Sequence, residues 1–261
     1  MLLYPRRLLG MILSIGLHPT FLVAAEPAVP ILVYHRFGPV HTDSMTITTG
    51  HFKEQIDLLC RNHYSVIPLE KVVAWRLGKG TPPPPRSVVL TFDDGHISVY
   101  SEAFRIVTAN RIPVTLFIYP SCISRASYAM TWEELSELAA TPYFRIESHT
   151  FWHPNFKQEA KKLDQSAYTT LVDTQLRHSK AVLEERFRRP VEFLAWPFGV
   201  YDRYLMNRAG VAGYQAAFTI ECHAATMSDP IMALPRCLVS DQDIGPRFLR
   251  LLDSAIRTAK N

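Results

Sequence analysis

The chain has 261 residues, nearly half of them apolar, enough for one large core or two small ones. Lys and Arg outnumber Asp and Glu by 28 to 24, and discounting Arg6 and Arg7, which fall in a segment expected to be removed, leaves 26 against 24. So small an excess excludes a nucleic-acid partner held by phosphate contacts.

Residues 1–25 read as an export signal. Arg6 and Arg7 form a basic start, Leu8 to Leu17 an apolar run, and Val23-Ala24-Ala25 a small-residue cleavage site before Glu26. His18 and Pro19 interrupt the run, which falls well short of the ~20 apolar residues that span a bilayer. The reading favoured over an uncleaved anchor is a mature domain over 26–261, periplasmic or extracellular, without stable membrane insertion. Outside the cytoplasm Cys60, Cys122, Cys222 and Cys237 could pair in three ways. They contain no Cys-x-x-Cys zinc spacing, so they read first as buried small residues, with Cys222 to Cys237 as the disulfide candidate.

From there short apolar runs alternate with amphipathic stretches, the pattern of strand-helix units around a mostly parallel sheet. The expected strands are Ile31–Tyr34, Tyr64–Ile67, Ser87–Phe92, Val114–Tyr119, Phe144–Ser148, Val191–Trp196, Gln215–Ile220 and Ala233–Val239. Phe52, Ile56 and Leu59 mark one face of a first helix. Pro82 to Pro85 make a stiff surface connection into the strand at Ser87. Thr131 followed by Glu134 reads as a capping box opening a helix through Ala139. Ser166 to Phe187 reads as a long helix whose charges are a solvated face. One α/β domain accounts for all of this, a distorted (β/α) barrel of about seven strands.

The chemistry concentrates at strand ends. Ser87 to Phe92 ends abruptly in Asp93-Asp94-Gly95, and in parallel α/β folds the carboxyl ends of strands gather ligands and catalytic groups. Two adjacent carboxylates there repel each other and lose water, which suits a bound cation or acid-base work. An Asp-Gly turn with an incidental neighbour is the bland alternative. After the next-but-one strand comes His149-Thr150-Phe151-Trp152-His153-Pro154. Two imidazoles four apart reach the same side of one helical turn, a weak signal alone. Joined to a carboxylate from another strand end, they form a two-histidine, one-carboxylate site with open coordination positions.

Thr91 to Gly95 taken with His149 to Pro154 resembles the first two motifs of the polysaccharide deacetylases, the nodulation-protein-B-homology domain of carbohydrate esterase family 4. The likeness spans about Ile31 to Val239. It implies Asp93 as catalytic base, and Asp94, His149 and His153 as ligands of one divalent ion, zinc first and cobalt or nickel next. It implies an acetylated glycan as substrate.

The family's third motif is matched only in part by Ala195-Trp196-Pro197-Phe198-Gly199, where Ala195 stands in place of an arginine. By resemblance Phe198 supplies a backbone N–H to the oxyanion, and Trp196 and Pro197 shape the sugar pocket. Core packing is the plain alternative for both aromatic side chains. Arg236, in Leu234-Pro235-Arg236, is the candidate substitute for the missing arginine, with a surface salt bridge as its alternative. The usual C-terminal histidine is also absent. In the permuted branch that includes poly-β-1,6-N-acetylglucosamine deacetylases, it lies near the N-terminus, where Ile31 to His35 has that look. His35 is therefore the expected general acid for the departing amine, and His223 its rival. His41, His51, His63 and His178 read as surface residues.

The activity so implied is N-deacetylation of a polymer containing N-acetylglucosamine. Its alternatives are an O-acetyl esterase of the xylan type, a catalytically silent carbohydrate-binding protein on the same fold, and a two-metal phosphoesterase, for which too few ligands are evident.

Overall fold

The computed structural model describes residues 26–259, so the expected signal segment lies outside the described residues. In chain order, β1 (Ile31–Tyr34), β2 (Arg36–Gly38) and β3 (Thr46–Thr48) precede α1 (Thr49–Arg61), β4 (Ser65–Val66) and α2 (Leu69–Arg76). Then come β5 (Ser87–Asp93), a π-helical turn Val99–Ala103, α3 (Phe104–Ala109), β6 (Val114–Ile118), α4 (Trp132–Ala140) and β7 (Phe144–Ser148). After them follow α5 (Phe156–Glu159), α6 (Gln165–Phe187), β8 (Phe193–Ala195), α7 (Arg203–Val211), β9 (Ala216–Phe218), β10 (Cys237–Leu238) and α8 (Gly245–Thr258).

Seven strands form one curled parallel sheet in the order β10-β1-β5-β6-β7-β8-β9, with β4 paired to the start of β5. The ring is drawn together by the segment around Arg236. Leu234 bridges in parallel to Phe218 of β9, while Cys237 and Leu238 register with Leu32 and Val33 of β1. The single α/β domain and distorted barrel expected from the sequence are what the chain forms. Several strands are shorter than expected because proline interrupts them: Pro197 follows β8 at one residue's distance, and Pro235 has no N–H to give the ladder between Leu234 and Cys237.

The period of two sorts side chains between two cores. Val88, Leu90 and Phe92 of β5, Leu116 and Ile118 of β6, and Phe144 and Ile146 of β7 face outward, into the layer shared with the helices. Val89, Phe117, Phe193, Ala195 and Phe218 fill the inside, and Leu69, Val72, Val73 and Trp75 of α2 join them as a plug at one end. There Arg145 of β7 pairs with Glu70 of α2 at 3.1 Å and with Glu192 at 2.6 Å, tying the plug to the strands. The alternation that places Val89 inside also places Thr91 and Asp93 inside, at the opposite end of the barrel.

Helix starts follow their caps. Thr131 accepts from the Glu134 N–H at 3.2 Å while the Glu134 carboxylate accepts from the Thr131 N–H at 2.7 Å, the expected reciprocal pair. Asp164 caps α6 through the Ala167 N–H. On α1 the buried face is Phe52, Gln55, Ile56 and Leu59, with Gln55 polar because it accepts from the Tyr34 hydroxyl and donates to the Asp243 carbonyl. The small β2–β3 pair was not expected from the sequence, since three residues carry too little periodicity to read.

Candidate metal centre

The β5 strand delivers its last residue, Asp93, into the barrel, and the chain then turns sharply. Asp94 adopts φ 74° and Gly95 φ 80°. A Cβ on Gly95 would stand 3.1 Å from both Ile118 and Ile123, so strain and space together call for glycine. Strained backbone of this kind at a strand end serves to aim side chains. Asp93 points inward and is buried, and Asp94 points into the opening at the rim.

Two strands away, β7 ends at Ser148, and His149 and His153 come forward beside Asp94. Each imidazole Nε2 lies 3.6 Å from Asp94 Oδ1, and His149 Nε2 lies 3.9 Å from Asp93 Oδ2. The two rings meet edge to face at 4.6 Å between centroids. The expected turn of helix is absent: Thr150 and His153 have φ of 65° and 62°. Pro154 bars a helix at the residue before it, and local polar bonds shape the alternative. Ser148 Oγ accepts from the Thr150 N–H, and Thr150 Oγ1 from the His153 N–H, both at 3.2 Å.

The side chain of Gln175, buried on α6, completes the loop by accepting from the Phe151 and Trp152 N–H groups at 3.2 and 2.9 Å. Sequence reading missed this residue, because a glutamine on a charged helix carries no motif. Removing a partner that orients a metal-binding loop typically costs ten- to a hundredfold in affinity. If the loop holds a divalent ion, Gln175→Ala is accordingly expected to weaken its binding by about tenfold, measured by competition with a chromogenic chelator, with secondary structure unchanged by circular dichroism.

The donor set suits a divalent ion. Asp94 Oδ1 is buried without a hydrogen-bond partner among the described residues, a costly state that a cation would relieve. His149 Nδ1 lies 2.8 Å from the Ala195 carbonyl, so it donates there and leaves Nε2 a lone pair facing Asp94. Burial pushes the His149 imidazolium down to about 3 and lowers that of His153, keeping both rings neutral as ligands must be. Burial likewise raises the Asp94 carboxyl. Ligand atoms bound at about 2.1 Å in a tetrahedron stand about 3.4 Å apart, close to the 3.6 Å seen here.

Asp93 is held differently. Arg236, fully buried, grips both its oxygens through Nη1 and Nη2 at 2.8 Å each. The guanidinium also donates to Thr91 Oγ1 at 3.1 Å and to the Thr219 carbonyl at 3.0 Å, and stacks over Phe117. Burial alone would raise the Asp93 carboxyl, but the charge and hydrogen bonds of Arg236 hold it down at about 2. The partner of Asp93 thus comes from the segment that leads into β10, while Ala195 on β8 offers it no side-chain donor.

The remaining expected residues divide. His35 follows Tyr34, which registers with Phe92, so it stands half-buried beside the end of β5 and close enough to act electrostatically on both aspartates. His223 lies elsewhere: Ala225 bridges to Val29 at the entry of β1, and His223 Nδ1 engages the Ala224 carbonyl. Phe198 is exposed, with φ 57°, and its ring packs on His153 at 4.6 Å. Pro197 before it is buried. Trp196 departs from expectation. It is fully buried, donates from Nε1 to the Met232 carbonyl at 2.9 Å and packs on Phe156, so its ring belongs to the core and walls no open pocket. Tyr119, just past β6, carries no motif that marks it as a site residue, yet its ring lies 5.3 Å from that of His153.

Comparison with known proteins agrees with this geometry. Residues 80–217 match the family model described as polysaccharide deacetylase. The chain is 25% identical over 201 residues to a poly-β-1,6-N-acetyl-D-glucosamine N-deacetylase of Staphylococcus aureus (strain MRSA252), covering 75% of this chain and 68% of the relative. Among solved structures, it superposes on the Streptococcus pyogenes deacetylase PplD, in complex with acetate, with a TM-score of 0.77 at 19% identity, covering 87% of this chain and 99% of that one. An IcaB structure from Ammonifex degensii gives a TM-score of 0.71 at 21% identity, covering 86% of this chain and 96% of that one. With more than half its length matched by the family model, and the barrel shared with solved deacetylases, the chain belongs to the polysaccharide deacetylase family.

Proposed function

We propose that this protein is an exported, metal-dependent N-deacetylase of a polysaccharide containing N-acetylglucosamine. The observation that carries the reading is the meeting of Asp94, His149 and His153 around one point, beside a carboxylate that Arg236 keeps ionised. The named activity of the Staphylococcus aureus relative supports the substrate class. A disulfide between Cys222 and Cys237 supports an oxidising compartment. Among the described residues no helix is long and apolar enough to cross a membrane.

A divalent ion held by Asp94, His149 and His153, zinc before cobalt or nickel, would supply Lewis acidity toward the acetyl carbonyl and a water of lowered pKa. Asp93 would accept a proton from the attacking water as the water's oxygen forms its bond to the carbonyl carbon. With its carboxyl held well below the usual carboxylate range by Arg236, Asp93 is ionised and free to accept. Arg236 keeps its two oxygens in place throughout, so no reorganisation accompanies the transfer. The Phe198 N–H donates toward the developing oxyanion, and His35 delivers a proton to the sugar nitrogen as the C–N bond breaks. Acetate and a free amine are the products.

Acetate release tests the reading over a panel of N-acetylglucosamine oligomers and acetylated xylan, on chelated protein and after adding back zinc, cobalt or nickel. Chelation is expected to abolish release and one metal to restore it on the oligomers. Release from xylan alone would replace the amidase reading with an esterase one. Sequencing of the secreted protein from Glu26 would establish export.

A further inference from the structure

We propose that the Cys222–Cys237 disulfide positions the catalytic carboxylate, acting through Arg236. The proposal rests on the assignment of Asp93 as base. Cys237 is the residue next to Arg236, and its sulfur is bonded to Cys222, three residues beyond Thr219. Thr219 is itself the residue whose carbonyl accepts from Arg236 Nε at 3.0 Å. The guanidinium is thus tied at its root by a covalent bond and at Nε by a hydrogen bond to the same short stretch, 219–222.

The need for such a tie follows from the segment that carries the arginine. β10 is two residues long, and Pro235 interrupts the ladder ahead of it. The segment is stitched to its neighbours by Leu234 on one side and by Cys237 and Leu238 on the other. An arginine on β8, where Ala195 stands, would have sat on a strand laddered to β9 through all three of its residues. Here the cation comes from the start of a weak strand, and it must still present two donors to Asp93 within hydrogen-bonding distance, fully buried. The bond from Cys237 to Cys222 ties that two-residue strand covalently to the stretch whose Thr219 carbonyl accepts from Arg236 Nε. Neither sulfur belongs to the group of ligand atoms that meet, so the disulfide is a positioning element.

The test is a double-mutant cycle on kcat, with KM measured alongside. Cys222→Ala/Cys237→Ala is expected to lower kcat about tenfold, with KM within about twofold, because a small misplacement at the reacting group acts on the transition state. In an Arg236→Lys background the same pair is expected to cost less than about twofold, since the arginine it positions is gone. Zinc uptake should be unchanged in all four proteins. Equal losses in both backgrounds, or no loss in either, would overturn the proposal.

Should the double variant fold poorly by circular dichroism, wild-type protein reduced by a phosphine gives the same reading. Two electrons and two protons convert the disulfide to two thiols, and the phosphine leaves as its oxide with oxygen from water. A kcat that falls on reduction and returns on reoxidation supports the role, and a kcat indifferent to reduction overturns it. Wild-type protein that releases no acetate from any glycan brings down the deacetylase reading and this inference with it. Active wild type with an indifferent disulfide brings down the inference alone.

Discussion

Asp93→Asn is expected to lower kcat by about 10³-fold while leaving the divalent ion bound, because loss of a general base, the role proposed for Asp93, costs about 10²- to 10⁴-fold and Asp93 is not among the ligand atoms that meet. His149→Ala is expected to lose both the divalent ion and turnover, since it removes one of the three proposed donors and the ring that the Ala195 carbonyl orients. Metal content by mass spectrometry and acetate release on the same samples separate the two. Near-normal turnover in Asp93→Asn would remove Asp93 from the base role. Thermal unfolding is the necessary control, because a neutral amide in place of the Asp93 carboxylate leaves the buried Arg236 cation without its counter-charge.

The second large effect belongs to Arg236. Arg236→Met is expected to destabilise the fold by about 3–5 kcal/mol, the range for breaking a buried ion pair by removing one partner. It should also lower kcat by about 10²-fold through loss of Asp93 orientation. The pH dependence carries a signature. Asp93 is held at about 2 in the folded protein against 3.8 ordinarily, so the stability contributed by its ionised form is fully present above the ordinary value and lost as pH falls through about 2. At about 1.4 kcal/mol per pH unit of difference, that contribution is about 2 kcal/mol. Urea unfolding at pH 2 to 5 should show it in wild type and not in Arg236→Met. Equal slopes would mean that the guanidinium does not govern the ionisation of Asp93.

Both expectations concern the same carboxylate, yet they draw on different kinds of information. Asp93 and Asp94 could be singled out from the sequence because packing alone gives a buried apolar run little reason to end in two acids and a glycine. Arg236 could only be offered as a substitute. Its distance along the chain from Asp93 is bridged by the closing of the barrel between β9 and β1, and no local pattern encodes that closure. Trp196 shows the converse. Its place in a motif pointed to the sugar pocket, but which face of a strand end meets solvent is decided by what packs there, and here Phe156 and the Met232 carbonyl enclose it.

By itself the sequence determined the parallel strand-helix alternation, the capping box of α4, the buried face of α1, the identity of the three candidate ligand residues and the family they resemble. These are properties of short windows, where periodicity, caps and spacing act within a few residues. The tertiary structure decided that His149 and His153 converge through a strained loop held by Gln175, that an arginine at the entry of β10 serves a carboxylate on β5, and that Cys222 finds Cys237. Each of these depends on where distant segments stop against one another in a packed core, and packing is a property of the whole chain.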